Sequence, residues 1–304
     1  MTENSEAIKS YPDQLWIEVT THCNAKCPLC PTGLGTLNRP KEHLDVGLFK
    51  RVVNEIRPEK VMFWNFGEPF LHPYIYSMFR YAADMKCEGW VSSNGYALYH
   101  PDRFDEILTS GLKYLIISLD GLDQKTLETY RVGVNFDRVF NGLVDLMALR
   151  PDRSGLRVIW QFVTMRHNEH QLERARKIAQ NLGCLFWSKR VNLAMIQDDK
   201  PVEESLDWLP VTSTLSRYDE NGMIKQGLQP CHFVEHSLVL LADGRIAPCC
   251  HDPQGHLILG NAKHQTIKEI WTGEKMQELR EKLINDRQSL TPCSNCPVGT
   301  KMFI

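Results

Sequence analysis

Along the first two thirds of the chain the spacing of apolar residues changes repeatedly between two periods. Short aliphatic and aromatic runs at 15–20 (LWIEVT), 61–66 (VMFWNF), 89–93 (GWVSS), 114–119 (YLIISL), 157–165 (RVIWQFVTM) and 185–195 (LFWSKRVNLAM) read as strands. Between them the period lengthens. Residues 46–56 place Val46, Phe49, Val53 and Ile56 on one helical face. Residues 73–85 start on Pro73, a residue suited to a first helical turn. Residues 102–111 end on a glycine stop, 136–149 carry a long amphipathic pattern, and 168–183 run from Asn168, read as an N-cap, to another glycine. Strands interleaved with helices predict a parallel sheet with right-handed crossovers. Six strands are too few for a full eight-fold barrel, so the expected fold is α/β, a partial (β/α)6 barrel or a doubly wound sheet. Either one holds its site on the loops at the carboxyl ends of the strands.

Those loops are where the chemistry-bearing residues fall. "HCNAKCPLC" (22–30) follows the first strand and spaces Cys23, Cys27 and Cys30 as C-x3-C-x2-C. "NFGEP" (65–69), "SSNG" (92–95) and "SLDG" (118–121) end the next three. Glycine and asparagine are ordinary turn residues, so the weight lies in their joint placement beside three thiols. The last quarter reads as a second unit. "SLVLLADGRIAPC" (237–249) is a hairpin on an Asp243-Gly244 turn. It leads into Cys249-Cys250, a helical stretch over about 266–285, and "PCSNCP" (292–297).

Composition narrows the classes. Lys plus Arg (35) nearly balances Asp plus Glu (37), and no basic stripe points to nucleic acid or membrane. No apolar run is long enough to span a bilayer, and the polar start lacks a secretory signal. Ten cysteines without such a signal argue for metal or redox work rather than disulfides. Cys87 and Cys184 stand alone beside predicted strands and read as small buried hydrophobes. Zinc is the bland reading of Cys23, Cys27 and Cys30, but zinc takes four ligands in a closed tetrahedron. His22, adjacent on a strand, should face the other way. Three thiolates with no fourth suit an iron–sulfur cluster with one open iron. Cys231, Cys249, Cys293 and Cys296 make a second set of four, with Cys250 left over. Zinc and iron–sulfur both accept such a set, and spacing leaves that choice open.

C-x3-C-x2-C after the first strand of such a chain resembles the radical S-adenosylmethionine (radical SAM) superfamily, over residues 15–195 as its partial barrel. The resemblance implies a [4Fe-4S] cluster on Cys23, Cys27 and Cys30 whose open iron binds SAM, and reductive cleavage of SAM to a 5'-deoxyadenosyl radical. It also implies SAM contacts at Gly67 and Glu68, where Phe66 replaces the first glycine of the family's GGE motif, and at Ser93, Asn94, Ser118 and Arg131. An arginine fork suits the SAM carboxylate. Leu29 stands where the family often has an aromatic. The C-terminal cysteines resemble the SPASM/twitch extension, in its shorter form with one auxiliary [4Fe-4S] cluster on Cys231, Cys249, Cys293 and Cys296. The implied organisation is a radical SAM unit over 1–222 and an auxiliary-cluster unit over 223–304.

Two types within the superfamily come nearest. One is the aminocyclitol dehydrogenase of aminoglycoside biosynthesis, 2-deoxy-scyllo-inosamine dehydrogenase; the other is the radical sugar epimerase. Alcohol oxidation is the expectation, with a sugar or aminocyclitol as the small polar substrate. In the epimerase alternative Cys250 returns a hydrogen atom; otherwise it is a packing residue. Ribosomal-peptide maturation is a further alternative, although only fourteen residues precede the first strand, too few for a leader-binding domain. A zinc-binding module would leave the three-cysteine group unexplained. A flavodoxin or ferredoxin is the implied electron donor, and the cytoplasm the implied compartment. One of Lys189 and Arg190, on alternating faces of the sixth strand, should enter the barrel mouth and orient or deprotonate a substrate. His72, His167, His232 and His251 are left without a role.

Overall fold

Nine strands form one open sheet in the order β6-β5-β4-β3-β2-β1-β7-β8-β9. The computed structural model describes residues 10–149, 155–193 and 203–297. The strands β1 (Gln14–Ile17), β2 (Lys60–Met62), β3 (Glu88–Ser93), β4 (Tyr114–Ser118), β5 (Arg157–Thr164) and β6 (Leu185–Arg190) are the six expected from sequence. Each pairs in parallel with the next. Helices α1 (Pro31–Leu34), α2 (Val46–Ile56), α3 (Ile75–Asp84), α4 (Phe104–Leu108), α5 (Gln124–Tyr130), α6 (Phe136–Leu149) and α7 (Leu172–Asn181) lie between them. Alternation along the strands sorts the two faces. Leu15, Ile17, Val61, Phe63, Val91, Leu115, Ile117, Val158 and Trp160 are at or near zero exposure in one core that includes residues of the helices. The opposite face carries Trp90, which stacks on Tyr114 at 3.6 Å, and Trp187 beside it. This is the open partial barrel.

The sheet does not end at β1. After α8 (Phe233–His236), β7 (Ser237–Leu240) pairs in parallel with β1, register Leu15 with Leu238. β8 (Arg245–Ala247) and β9 (Gly260–Asn261) then run antiparallel. The hairpin of the last quarter thus extends the barrel sheet on its β1 edge. Helices α9 (Ile267–Trp271) and α10 (Glu274–Asn285) follow. Sequence predicts one continuous helix there; a break at Thr272-Gly273 divides it, and Thr266 caps the first piece in a capping box with Glu269.

A buried ion pair fixes the hairpin to the loop after the first cysteines. Arg39 donates to both carboxylate oxygens of Glu18 at 2.6 and 2.5 Å, and Glu18 also accepts from Ala242 N at 3.1 Å. The two side chains are 2% and 0% exposed. The Arg39 Nε reaches Pro253 O at 3.1 Å. Asn168 departs from its expected role. It makes no side-chain cap and precedes a 3₁₀ turn rather than α7 directly. Its amide instead donates to Asp120 O and Val163 O, and its oxygen accepts from Met165 N, which knits the tips of β4 and β5. The last two residues of the expected sixth strand, 194 and 195, lie outside the described residues.

Candidate active site at the strand tips

Cys23 lies just past β1, and Cys27 and Cys30 sit on the loop leading into α1. The loop is held by backbone bonds: Cys30 N donates to Cys27 O at 3.1 Å and Lys26 N to Val132 O at 2.9 Å. Gly33 allows α1 to fold back on it, since a Cβ there would lie 2.4 Å from Cys27 O. Leu29 is 4% exposed and docks among Val163, Met165, Val191 and Leu193 at the ends of β5 and β6. A branched aliphatic side chain is well seated where the family often has an aromatic.

The other tips converge on this loop. At Gly67, φ is +95° and a Cβ would lie 2.2 Å from Thr20 O, so only glycine admits this approach to the end of β1. The next residue, Glu68, is 1% exposed. It accepts from Ser93 Oγ (2.9 Å), Asn94 N (2.8 Å) and Phe70 N (3.2 Å), so the FGEP and SSNG loops are one unit. Burial outweighs these bonds and raises the Glu68 carboxyl to about 7. Asn94 Nδ2 lies 3.8 Å from Cys23 Sγ and 3.0 Å from Asn24 Oδ1. Ser118 accepts from Gln161 Nε2 at 3.1 Å on the inner face of β4. Arg131 Nη1 is 3.9 Å from Cys27 Sγ, and its Nε donates to Asp120 Oδ2 at 2.6 Å. The Arg131–Asp120 ion pair is buried, its side chains 14% and 0% exposed. All of Cys23, Cys27, Cys30, Gly67, Glu68, Ser93, Asn94, Ser118 and Arg131 therefore lie at one end of the sheet.

Sequence reasoning passed over Asp120. It accepts from Val163 N at 2.6 Å and aims Arg131. Its place in "SLDG", two residues past the candidate Ser118, was the available signal. Asp120→Asn keeps the size but places an amide or a neutral oxygen against the guanidinium. We expect SAM affinity to fall about ten-fold, the size of one lost hydrogen bond to a charged group. Calorimetric titration of SAM into reconstituted protein, with cluster absorbance as control, measures this. Unchanged affinity would show that Arg131 needs no such support.

The three thiols feel one another. Burial pushes Cys23 up to about 12, with Glu68, Cys27 and Cys30 adding to the rise. Cys27 is raised by burial and by Cys30 and Asp120, against Arg131. Clustered thiolates in a dry site are stable only on a metal charge, so loading must release their protons. Among the described residues no three His, Cys, Asp or Glu side chains close on a point as the ligands of one ion do. A four-iron cluster differs, because each thiolate takes its own iron on a separate corner. Three soft donors with N–H groups near their sulfurs fit it.

The second group assembles around the hairpin. Cys231 precedes α8, Cys249 and Cys250 follow β8, and Cys293 and Cys296 follow α10. Burial raises Cys249 far above its usual value, and Cys250, Cys296 and Cys293 add to this. Cys250 packs with Phe233, Val239, Leu241 and Cys296. Burial pushes it up to about 12 while Lys189 pulls it down. The five C-terminal cysteines thus share one region, a donor set fit for a cluster.

Lys189 is the strand-six residue that enters the mouth. It pairs in register with Val163, while Arg190 lies on the other face opposite Thr164. Its charged surroundings are Arg217, Cys250, Arg131 and Asp120, so it stands between the two cysteine groups. Burial chiefly, with Arg217 and Arg131 and against Cys250 and Asp120, lowers it to about 8. His251, with no role assigned from sequence, is there too. Burial, Arg217 and Lys189 bring it down to about 3, so it is neutral. Its Nδ1 lies 3.4 Å from Asn192 Nδ2.

An α/β half-barrel whose tips gather three cysteines, a glycine–glutamate loop and an arginine defines a class. Residues 17–177 match the radical SAM superfamily and 231–297 an iron–sulfur cluster-binding domain, SPASM. The chain belongs to the radical SAM superfamily and carries a SPASM domain; its cofactors are SAM and iron–sulfur clusters. It is similar to the tungsten-containing aldehyde ferredoxin oxidoreductase cofactor-modifying protein of Pyrococcus furiosus, at 24% identity over 93% of this chain and 86% of that one. A GTP 3',8-cyclase of Peptoclostridium acidaminophilum is 25% identical over 90% and 91%. Among solved structures, BtrN in complex with AdoMet and 2-DOIA has a TM-score of 0.56 at 16% identity, covering 93% of this chain and 92% of that one. Streptococcus suis SuiB bound to S-adenosylmethionine has a TM-score of 0.68 at 16% identity, over 90% and 68%. No helix among the described residues is long and apolar enough to cross a membrane.

Proposed function

We propose that this radical SAM enzyme oxidises a secondary alcohol of a small polar molecule, a sugar or aminocyclitol. The observation that carries this reading is the place of Lys189, a half-buried amine of β6 on the sheet face that carries Val163 at the mouth; desolvation is the main cause that lowers it to about 8. Cys23, Cys27 and Cys30 are the proposed ligands of the SAM-binding cluster, and Cys231, Cys249, Cys293 and Cys296 those of the auxiliary one. Gly67, Glu68, Ser93, Asn94, Ser118 and Arg131 form the SAM cradle. The unit that binds SAM is 1–222 and the auxiliary unit 223–304. Bound there, cluster and SAM would supply the chemistry of hydrogen-atom abstraction from a carbinol C–H bond, and an auxiliary cluster on its four thiolates would supply an acceptor for the second electron. Lys189, as the neutral amine, takes the hydroxyl proton. Neutral His251 and Asn192 are donors or acceptors for other hydroxyls. A flavodoxin or ferredoxin supplies the reducing electron. The likeness to BtrN over 93% of this chain supports a fold able to hold such a site.

Lys189→Met should keep 5'-deoxyadenosine release but lose most oxidised product, about 10²-fold as for removal of a general base. In the parent protein the rate should rise with pH as the amine deprotonates near 8. A flat profile, or full turnover in the variant, would remove Lys189 from the reaction.

Epimerisation is the second reading, favoured by one observation: Cys250 lies near Lys189 rather than on a remote face. A thiol hydrogen exchanges with solvent, so an epimerised product made in D2O carries one deuterium at the inverted carbon. Oxidation needs no returned hydrogen, and Cys250→Ala should then turn over nearly normally. Deuterated, redox-neutral product together with its loss in Cys250→Ala would replace the oxidation reading.

A further inference from the structure

A line of hydrogen bonds joins Tyr218, the chain just past β6 and the loop after Cys250. Tyr218 is 1% exposed and packs in the apolar cluster that holds Leu29 and Val163. Its backbone is pinned by Ser216, whose Oγ accepts from Tyr218 N at 3.0 Å and donates to Tyr218 O at 2.9 Å. The Tyr218 hydroxyl accepts from Leu193 N at 3.3 Å and donates to Asn192 Oδ1 at 2.8 Å. With its oxygen on Tyr218, Asn192 turns its amide nitrogen to the histidine, and Nδ2 stands 3.4 Å from His251 Nδ1.

This order of donors assigns a tautomer. An amide N–H only donates, so His251 Nδ1 is the acceptor and the ring proton sits on Nε2. Among the described residues the Nε2 has no hydrogen-bond partner, and it is not among the buried side-chain atoms closed to water. Phe233 lies beside the ring, centroids 6.2 Å apart. The charged neighbours of His251 are Arg217, Lys189 and His232, none of them a carboxylate that would take the Nε2–H.

We propose that His251 is a substrate-binding residue whose Nε2–H donates to a second oxygen of the substrate, and that Asn192 and Tyr218 are the positioning residues that fix this tautomer. The role rests on the barrel mouth being the substrate site. It narrows the substrate as well. Lys189 takes the proton of the reacting hydroxyl, while His251 presents a donor. The group that meets His251 is therefore an oxygen acceptor (a hydroxyl, carbonyl or carboxylate) and not an ammonium.

The test is NMR of the reconstituted full chain labelled at the histidine nitrogens, with His251→Gln to assign the signals. Protonated and bare ring nitrogens resonate far apart, so the tautomer ratio is read directly. We expect the Nε2–H form to exceed the Nδ1–H form about ten-fold, the worth of one hydrogen bond. In Tyr218→Phe the Asn192 amide is no longer held, and the excess should fall about three-fold or more. In Asn192→Asp the carboxylate accepts from Nδ1–H, and the order should invert. A merely structural role for these residues would leave the ratio unchanged. Tyr218→Phe keeps the packed ring, so it folds even where Asn192→Asp does not; circular dichroism and iron content report folding of each. myo-Inositol is the oxygen probe and methylammonium chloride the ammonium probe; the first should shift the Nε2 signal saturably and the second should not. A dominant Nδ1–H form, or an unchanged ratio in Tyr218→Phe, would overturn the positioning role. No saturable shift with inositol, or one with methylammonium, would overturn the substrate role. The tautomer ratio is independent of the reaction, so a failure of alcohol oxidation, seen as 5'-deoxyadenosine without oxidised product, is read apart from it.

Discussion

Replacing Cys23, Cys27 and Cys30 together with alanine is expected to remove roughly half of the iron of reconstituted protein and all SAM cleavage. Half is expected because the C-terminal set has its own four thiolates, each able to bind one iron of a complete cluster. Cleavage goes because no other described group stands beside Arg131 and Asn94 with a soft donor. The variant also loses thiols whose burial already resists ionisation, so its fold should be retained. Iron assay, visible absorption and 5'-deoxyadenosine by chromatography give the answer. Full iron with continued SAM cleavage would move the site elsewhere.

The largest stability effect should come from Arg39→Ala. It leaves Glu18, at 0% exposure, without its cation. Breaking one side of a buried pair costs about 3–5 kcal/mol, a large share of the 5–15 kcal/mol that typically holds a domain together. Burial already raises the Glu18 carboxyl above its usual value despite Arg39. Without Arg39 it rises further, above its unfolded value. The variant's stability contribution from that proton is therefore present at acid pH and lost as pH rises through the folded pKa. Arg39→Ala should be least destabilised in acid and most at neutral pH, and Glu18→Gln should recover part of the loss. Denaturant midpoints at two pH values measure it; a loss below about 1 kcal/mol would mean that the brace is dispensable.

The fold was legible where periodicity is local. Helices at Val46–Ile56 and Phe136–Leu149 match the expected bounds, since each has a continuous apolar stripe. Strand ends ran short: β1 stops at Ile17 and β2 at Met62, although Glu18 N still donates to Leu240 O and Phe63 N to Trp90 O just beyond them. The parallel pairing of β7 with β1 was not legible, since nothing local in "SLVL" names a partner more than 200 residues away. At the site, cysteine spacing and the "FGEP" and "SSNG" strings marked the residues. Asp120 and the choice of Lys189 over Arg190 needed the register of β4, β5 and β6, and the Glu18–Arg39 pair needed the approach of the loop after α1 to the end of β1. A charged residue on a strand carries no sign of which side the barrel closes.

The cysteine loop is ordered by the chain itself. Leu29 is seated in its own apolar cluster, Lys26 is tied to Val132, and Gly33 lets α1 rest on Cys27. The conformational entropy of bringing three thiols together is therefore spent when the polypeptide folds, not when iron arrives. Small zinc domains are the opposite case, in which metal uptake and folding are one event. These contacts predict that cluster loading needs little refolding of the loop, so circular dichroism of iron-stripped protein should match that of reconstituted protein.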